Sequence, residues 1–244
     1  MKSITLIKNQ LIRFSSYLSS SDLSKAVFYH DIHKKNIYTD MSTSIDIFKL
    51  HIQIIKEAGF EIVSKITQEK KQIHISFDDG YLGLYENLDV IRELNIHVEL
   101  FISTSFLGTD RYINKSQLHD LALCPLVKIS SHSHSHSRLD MLSLSNLKYD
   151  LIKSKEILED IIAYDVYNLA YPFGRFSSDV IKIALEVGYK NQFSSVPGPF
   201  TSEVFNSVKR RSLVQNLSGK YFYSVLRGGD NILSPWYFKQ HFSL

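Results

Sequence analysis

Three histidines alternate with serines in the segment SSHSHSHSRL, which covers residues 130–139. Histidine-rich segments can bind a metal ion, but the same composition is also compatible with a polar surface loop. His132 and His136 are four residues apart, so their side chains can face one point on a helical turn or in a tight loop. His134 lies between them and would point elsewhere. A metal site here needs a further ligand from another part of the chain.

Two adjacent carboxylates, Asp78 and Asp79, follow the apolar segment QIHISF and precede Gly80. Like charges at a strand end repel each other, and burial raises the cost, so a bound cation would stabilise the pair. The alternative is an ordinary turn, in which one aspartate caps the next helix and Gly80 forms the turn. The carboxylates alone do not decide between these interpretations.

Short apolar segments alternate with longer amphipathic segments along most of the chain. The apolar segments predict strands at residues 25–30, 60–64, 72–77, 97–103, 126–131, 167–171 and 189–193. The amphipathic segments predict helices at residues 44–58, 82–94, 115–122, 144–163 and 177–187. This alternation is typical of βαβ units around a parallel sheet, and this number of units in one domain predicts a (β/α) barrel. In such folds the chemistry lies just beyond the carboxyl ends of the strands.

Three of the predicted strands end in residues that could form one site. The aspartate pair follows strand 72–77, the histidines follow strand 126–131, and the rigid turn Pro172–Gly174 follows strand 167–171. One aspartate and two histidines provide three metal ligands and leave positions for water, which is the pattern of catalytic rather than structural metal sites. The second aspartate is then free to act as a base, and the turn can direct a backbone N–H into the mouth of the barrel.

Composition and charge describe an ordinary globular protein of 244 residues, with 44% hydrophobic and 22% charged residues. The net charge of +3 is too small to indicate nucleic-acid binding, and the basic segment 209–211 is typical of ordinary surface. The single cysteine, Cys124, excludes a disulfide within the chain and a cysteine-based zinc site, and we expect a buried thiol there.

The first 24 residues predict an amphipathic helix rather than a secretory signal, because charged side chains such as Lys8 and Arg13 interrupt the apolar residues. No apolar segment is long enough to span a bilayer, so we expect a cytoplasmic protein. The apolar residues with near-helical spacing are Leu6, Ile7, Leu11, Phe14 and Leu18. They favour a helix packed on the domain. The alternative is a helix on a membrane surface, flanked by Lys2, Lys8 and Arg13.

With these segments in place, the sequence resembles the polysaccharide deacetylases of the NodB-homology type, carbohydrate esterase family 4. Residues 76–80, SFDDG, are similar to the family's first motif, TFDDG, and residues 132–136 match its second motif, H-[ST]-x-x-H. Residues 170–174, AYPFG, resemble the third motif. The resemblance extends from about Val27 to about Arg211. The segment between FYHDI and FEIVS also resembles the opening of members that act on surface polysaccharides.

The resemblance implies a distorted (β/α) barrel that binds one divalent metal ion, usually zinc. It implies that Asp79, His132 and His136 are the metal ligands and that Asp78 is the general base. It also implies that the backbone N–H of Phe173 helps to bind the oxyanion. In such a site a metal-activated water attacks the amide of an N-acetylated sugar while Asp78 removes a proton, and acetate and a free amine are formed.

One departure from the family's pattern concerns the base. Many members carry an arginine two residues before the proline of the third motif, where it orients the base, but this position is Ala170. Arg210 or Arg211 is our candidate for the missing cation beside Asp78.

A second departure concerns the general acid. Many members carry a late Leu-x-His motif whose histidine is the acid, but the only histidine after His136 is His241, three residues from the end, which makes it a poor candidate. We therefore consider His30, which follows the first strand, as the acid or a substrate-binding residue. The alternative for His30 is a structural hydrogen bond.

We expect a single domain with an N-terminal helix over residues 1–24, a barrel core over residues 25–211 and a C-terminal extension over residues 212–244. The leading functional hypothesis is an N-deacetylase that acts on a sugar in a cell-surface glycan precursor of the O-antigen or capsule type. The alternatives are a metal-dependent amidase for a small non-sugar amide and a catalytically silent glycan-binding protein. Peripheral membrane contact is compatible with the sequence, and the oligomeric state is left open.

Overall fold

The computed structural model describes residues 2–243, with side chains from residue 7 onward. The strands are β1 (Lys25–Tyr29), β2 (Asp31–His33), β3 (Ser42–Ser44), β4 (Glu61–Ile62), β5 (Gln72–Phe77), β6 (Val98–Ile102), β7 (Val127–Ser131), β8 (Asn168–Ala170), β9 (Phe176–Ser177), β10 (Asn191–Phe193), β11 (Ser212–Leu213) and β12 (Phe242–Ser243). The α-helices are α1 (Lys2–Leu18), α2 (Ile45–Glu57), α3 (Leu82–Glu86), α4 (Leu88–Leu94), α5 (Lys115–Ala122), α6 (Leu144–Ile162), α7 (Ser178–Val187), α8 (Gly219–Leu226) and α9 (Ser234–His241). Short 3-10 helices occur at Thr104–Phe106, Leu139–Met141, Pro172–Gly174 and Gly229–Leu233.

The central sheet has eight strands, and all of its pairs are parallel. The strand order is β10-β8-β7-β6-β5-β1-β11, and β4 pairs with the start of β5. Phe193, at the end of β10, also forms a parallel bridge with Lys209, just before β11, so the two edges of the sheet approach each other. The predicted distorted (β/α) barrel is confirmed.

The central strands are buried on both faces. Every residue of β5, the segment QIHISF, is buried, because helices cover one face of the sheet and the barrel interior covers the other. The helices that follow the strands begin at side-chain caps: Ser44 accepts a hydrogen bond from Ile47 N–H in α2, and Ser177 accepts one from Val180 N–H in α7. Among the described residues, no helix is long and apolar enough to cross a membrane.

The predicted single helix at residues 82–94 is two helices, α3 and α4, separated at Asn87. The Asn87 side-chain amide donates a hydrogen bond to the carbonyl of Gly83 at 2.8 Å, and its backbone leaves the helical region at φ −118°. Asparagine side chains compete with the backbone for such partners, which interrupts helices. The apolar periodicity continues through the break and does not reveal it.

The last fifty residues return to the barrel through short strands that periodicity does not predict. Strand β11 pairs with β1, with Ser212 opposite Val27. Strand β12 pairs with β9, with Phe242 opposite Phe176. Both strands have only two residues, so long-range pairing rather than local sequence defines them. The consequence is that the C-terminal segment lies beside the carboxyl ends of the central strands.

Candidate active site and metal centre

The side chains selected from the sequence converge at the carboxyl ends of the central strands. Asp78 and Asp79 follow β5, His132 and His136 follow β7, Phe173 follows β8, and His30 follows β1. All of them line one cavity of about 310 Å³. This volume lies at the lower end of those typical of small-ligand pockets.

Asp79, His132 and His136 each direct one ligand atom to a common point, and these atoms lie within 4.8 Å of one another. The Asp79 Oδ1 atom is 3.1 Å from Nε2 of His136 and 3.4 Å from Nε2 of His132. Asp79 and His136 both have positive φ angles, 74° and 53°, an uncommon conformation for residues other than glycine that clusters at functional sites. The ring of His134 instead hydrogen-bonds Thr104 Oγ1 at 2.8 Å.

Helix α6 holds the histidine loop in place. The carboxylate of Asp150, a buried residue of α6, accepts hydrogen bonds from the backbone N–H groups of His134 at 2.8 Å and Ser135 at 2.9 Å. Ser133 Oγ accepts a further hydrogen bond from the N–H of His136. These contacts fix the backbone between the two candidate ligands.

The hydrogen bonds around His132 show that its Nε2 atom presents a lone pair to Asp79. His132 Nδ1 lies 2.8 Å from the carbonyl oxygen of Ala170, which can only accept, so Nδ1 carries the hydrogen. Burial lowers the pKa of His132 to about 4, so the ring is neutral at neutral pH and Nε2 is unprotonated. Among the described residues, Asp79 Oδ1 has no hydrogen-bond partner. Two buried acceptors facing each other fit a bound cation, and imidazole nitrogen with carboxylate oxygen is a typical zinc ligand set.

Electrostatics keep the Asp79 carboxylate ionised in spite of its burial. Burial raises the pKa of this group, but the hydrogen-bonding contact with His136 and the positive charge that His132 and His30 carry when protonated outweigh it and lower the pKa of Asp79 to about 2. The carbonyl of Ala170, which orients the His132 ring, is the type of outer contact that metal-ligating histidines usually make. The arrangement therefore suits a divalent metal.

Asp78 forms a buried, bidentate ion pair with Arg211. Arg211 Nη1 donates to Oδ1 of Asp78 at 2.6 Å, and Nη2 donates to Oδ2 at 2.9 Å. Further donations from the guanidinium to Ser76 Oγ and to the carbonyl of Ser194 fix its plane. Such a pair neutralises the buried carboxylate and sets its orientation.

Arg211, and not Arg210, therefore supplies the cation that the third motif lacks. Its guanidinium carbon lies 4.5 Å from the ring centroid of Phe28 and 5.0 Å from that of Phe101, so the charge is enclosed by aromatic faces. Arg210 bonds to the carbonyls of Pro197 and Ser202 instead.

The Pro172–Gly174 turn has the unusual backbone that a directed N–H group requires. Phe173 has φ 59° and ψ 7°, and its ring lies 4.8 Å from that of His136. Gly174 has φ 69°, and a Cβ atom there would lie 1.9 Å from Ser195 Oγ, so only glycine fits. The turn thus presses against one wall of the cavity and places the Phe173 backbone at its edge.

His30 lies in the same cavity and makes one polar contact. Its Nδ1 atom is 2.7 Å from Oε1 of Gln215, an acceptor, so Nδ1 carries a hydrogen and Nε2 is left for the cavity. The hydrogen bond and the cavity position are both present. The structural and functional interpretations of His30 are therefore compatible.

Tyr237 and His241 also line the cavity, and sequence reasoning selected neither of them. His241 was set aside for its position near the end of the chain, but the β12–β9 pairing brings it beside Ser195, with Nδ1 3.5 Å from Ser195 Oγ. Burial, with a smaller contribution from Arg175, lowers the pKa of His241 to about 4. In the sequence, Phe238 and Phe242 are spaced i and i+4, which could have indicated that this segment packs on the domain. In the structure their rings stack on each other.

Comparison with known proteins agrees with this geometry. The family described as "Polysaccharide deacetylase" matches residues 65–192, which is just over half of the chain. The chain therefore belongs to the polysaccharide deacetylase family. It is 26% identical over 227 residues to the poly-beta-1,6-N-acetyl-D-glucosamine N-deacetylase of Staphylococcus epidermidis, with 78% of each chain covered.

A second relative is the putative polysaccharide deacetylase YxkH of Bacillus subtilis, 22% identical over 183 residues, which cover 70% of this chain. The match spans 64% of that relative's length. Among solved structures, the Streptococcus pyogenes deacetylase PplD in complex with acetate has a TM-score of 0.74 at 17% identity and covers 84% of this chain and 98% of its own. IcaB of Ammonifex degensii has a TM-score of 0.75 at 16% identity, with 86% and 99% covered. At these identities the likeness establishes the fold.

Proposed function

We propose that this protein is a metal-dependent N-deacetylase that removes the acetyl group from an N-acetylated sugar in a cell-surface glycan precursor. The observation that carries the proposal is the convergence of an Asp-His-His cluster and a buried aspartate–arginine pair in one cavity. Family membership supports the reaction, and the name of the Staphylococcus epidermidis relative supports an N-acetylated glycan as substrate. The cytoplasmic location stays a prediction.

Asp79, His132 and His136 are the proposed metal ligands, and zinc is the proposed ion because two imidazoles and one carboxylate match its catalytic sites. A metal ion bound there would acidify a water molecule and polarise the amide carbonyl of the substrate. The carbonyl of Ala170 and the carboxylate of Asp150 serve this centre by orienting the His132 ring and the histidine loop.

The remaining chemistry falls to residues around the metal centre. Asp78, held by Arg211, accepts a proton as water adds to the acetyl carbon. The backbone N–H of Phe173 donates to the oxyanion that forms on the acetyl oxygen. His30 donates a proton to the sugar nitrogen as the carbon–nitrogen bond breaks, which leaves acetate and a free amine.

His241 is proposed to bind substrate rather than to transfer the proton. It belongs to the wall formed by Ser195 and the Pro172–Gly174 turn, whereas His30 follows β1 and contributes to the electrostatic environment of Asp79. Its depressed pKa makes it a neutral hydrogen-bonding group at neutral pH.

A neighbouring groove favours a glycan over a small non-sugar amide. Met41 lines both the active-site cavity and an open groove that contains Tyr38, Tyr81 and Tyr112. The rings of Tyr81 and Tyr112 stack with their centroids 4.5 Å apart, and aromatic faces of this kind pack well against sugar rings. The alternative of a catalytically silent protein rested on the missing arginine and the missing late histidine. The first of these arguments is weakened, because Arg211 pairs with Asp78.

Acetate release from N-acetylglucosamine oligosaccharides by the zinc-loaded protein tests the proposal. We expect the wild type and Asp160→Asn, which changes an exposed aspartate of α6, to release acetate, and Asp78→Asn to release none. Activity retained in Asp78→Asn would rule out its role as base. A zinc-loaded wild type that releases no acetate from any N-acetylated sugar would exclude the deacetylase.

The roles proposed for His30 and His241 can be distinguished by steady-state kinetics. Replacement of a general acid lowers kcat by about 10²–10⁴-fold, so we expect this from His30→Ala. We expect His241→Ala mainly to raise KM, because it removes a binding contact. The reverse pattern in steady-state kinetics would assign the acid to His241.

A further inference from the structure

Helix α1 exposes a stripe of apolar side chains to solvent. Four of them, spaced i, i+4, i+7 and i+11, form one stripe along the helix, and each is largely exposed: Ile7 61%, Leu11 45%, Phe14 61% and Leu18 73%. Tyr17 extends the stripe on one side and is 72% exposed. We call this stripe, with Tyr17, the outer face of α1. The expected packing of α1 on the domain is present, but the side chains of Ile7, Leu11, Phe14 and Leu18 do not provide it.

The opposite side of α1 is what holds the helix to the barrel. Ile12 is only 3% exposed, and a Cβ atom on Gly229 would lie 2.2 Å from the carbonyl oxygen of Ile12 and 2.9 Å from Cβ of Ser16. This close approach requires glycine on the facing segment Gly229–Leu233. Lys8 also donates a hydrogen bond to the Tyr237 hydroxyl at 2.7 Å. The helix is therefore held to the barrel by Ile12, Ser16 and Lys8, whereas the described side chains of the outer face point to solvent.

The N-terminal part of the sequence, which contains α1, carries only positively charged side chains. Residues 1–21 contain the cations Lys2, Lys8 and Arg13 and no aspartate or glutamate. An apolar helix face accompanied only by cations complements an anionic lipid surface. Arg13 donates a hydrogen bond to the hydroxyl of Tyr17 on the outer face, so a two-fold pairing with a second copy of the chain would bring Arg13 close to its equivalent, without acids on the helix to offset the charge.

The elements beside α1 also expose large apolar side chains to solvent. Ile232, in the segment packed on α1, is 53% exposed, and Trp236, on α9, is 59% exposed. Tryptophan and tyrosine are enriched at membrane interfaces, where an apolar ring and a polar edge are both satisfied. Several large apolar side chains exposed on neighbouring elements are typical of interaction sites.

We propose that the outer face of α1 docks this protein on anionic membrane surfaces, with its apolar side chains inserted at the boundary between headgroups and acyl chains. The docked helix lies beside the active-site cavity, because Tyr237, the partner of Lys8, lines that cavity. A glycan attached to a membrane lipid would thus be presented to the site. This last consequence rests on the proposed function, whereas the docking itself does not.

Sedimentation with lipid vesicles tests the docking without reference to activity. The metal-loaded protein is mixed with vesicles of phosphatidylcholine, with or without phosphatidylglycerol, and the bound fraction is measured. We expect binding to the anionic vesicles that weakens with added salt, and a drop of about tenfold or more in affinity for Leu11→Glu/Phe14→Glu. Both side chains are exposed in the free protein, so the variant should keep the Tm of the wild type.

The matched control is Leu123→Glu/Leu185→Glu, which replaces two exposed leucines outside α1 and should bind vesicles like the wild type. An equal loss of binding in both double variants, or a wild type that stays in the supernatant with anionic vesicles, would overturn the proposal. So would a wild type that binds no vesicles but forms a dimer in light scattering that Leu11→Glu/Phe14→Glu abolishes. Asp78→Asn should still bind vesicles, so failure of the deacetylase and failure of docking are distinguishable.

Discussion

The side chains of Asp78 and Arg211 are 4% and 1% exposed, and each satisfies the other through two hydrogen bonds. Removal of one member of a buried pair leaves an uncompensated charge, which costs about 3–5 kcal/mol. Removal of both members avoids that cost. The pair is therefore a structural element as well as the proposed base and its orienting cation.

We predict that Arg211→Gln lowers the free energy of unfolding by about 3 kcal/mol or more and kcat by about 100-fold or more, because the Asp78 carboxylate loses its charge partner and its orientation. Arg211→Lys should retain more stability than activity, since it keeps the charge but not the bidentate geometry. Denaturant unfolding and acetate release measure the two effects.

The double variant Asp78→Asn/Arg211→Gln should recover part of the stability but none of the activity. Arg210→Gln is the control for the loss of an arginine next to β11, and it should keep the activity because Arg210 contacts loop carbonyls outside the cavity. If Arg211→Gln were as active as Arg210→Gln, Arg211 would not position the base.

At the scale of the elements, the order of the strands decides how much of the site can be predicted from sequence. Asp79 and the histidines follow β5 and β7, which are separated only by β6 in the sheet, so their convergence follows from the alternation of strands and helices. Arg211 and His241 reach the site through the two-residue strands β11 and β12. Their pairing partners are distant in sequence, and local periodicity carries no information about them.

Helix α6 holds the loop that carries the proposed metal ligands His132 and His136, and loss of this support should be measurable in the metal affinity. We predict that Asp150→Ala weakens zinc binding about 10–100-fold, because the carboxylate that fixes the N–H groups of His134 and Ser135 is removed. Asp160→Ala, an exposed aspartate on the same helix, is the control. Calorimetric titration of zinc into metal-free protein compares the two. Equal affinities would show that the histidine loop does not need α6.

The contact between α2 and α8 predicts a pH dependence of stability. His51 is fully buried, stacks on Phe222 with ring centroids 3.9 Å apart, and hydrogen-bonds Tyr29 and the carbonyl of Leu217. Burial lowers the pKa of His51 from 6.5 to about 4, so in this range the unfolded chain binds a proton that the folded protein does not. The free energy of unfolding is therefore not reduced by His51 above pH 6.5. As the pH falls toward 4, proton binding to the unfolded chain lowers it by at most about 3 kcal/mol.

We predict that His51→Gln makes the free energy of unfolding less dependent on pH between 6.5 and 4, because it removes this titrating group. His119→Gln, which replaces a histidine of α5 that lies at the surface, should keep the wild-type dependence. Denaturant unfolding at several pH values gives the slopes. A slope in His51→Gln equal to that of the wild type would show that His51 is not the source of the acid sensitivity.

At the scale of the whole molecule, the two ends of the chain meet beside one end of the barrel. Helix α1 contacts the segment that leads into α9, and α9 with β12 supplies Tyr237 and His241 to the cavity. Helix α1, which carries the proposed membrane-docking face, is thus linked to the proposed catalytic site by the hydrogen bond from Lys8 to Tyr237. The barrel fold and the convergence of Asp79, His132 and His136 could be predicted from the sequence, whereas this assembly of the terminal segments required the structure.

Zinc content, measured by elemental analysis of purified variants, is the sharpest test of the Asp-His-His centre. We expect about one zinc ion per chain in the wild type and in His134→Ala, which alters the same histidine repeat without removing a proposed ligand. We expect loss of that ion in Asp79→Ala and in His136→Ala. Zinc retained in Asp79→Ala, or lost equally in His134→Ala and His136→Ala, would contradict the Asp-His-His centre and leave the histidine repeat as a polar loop.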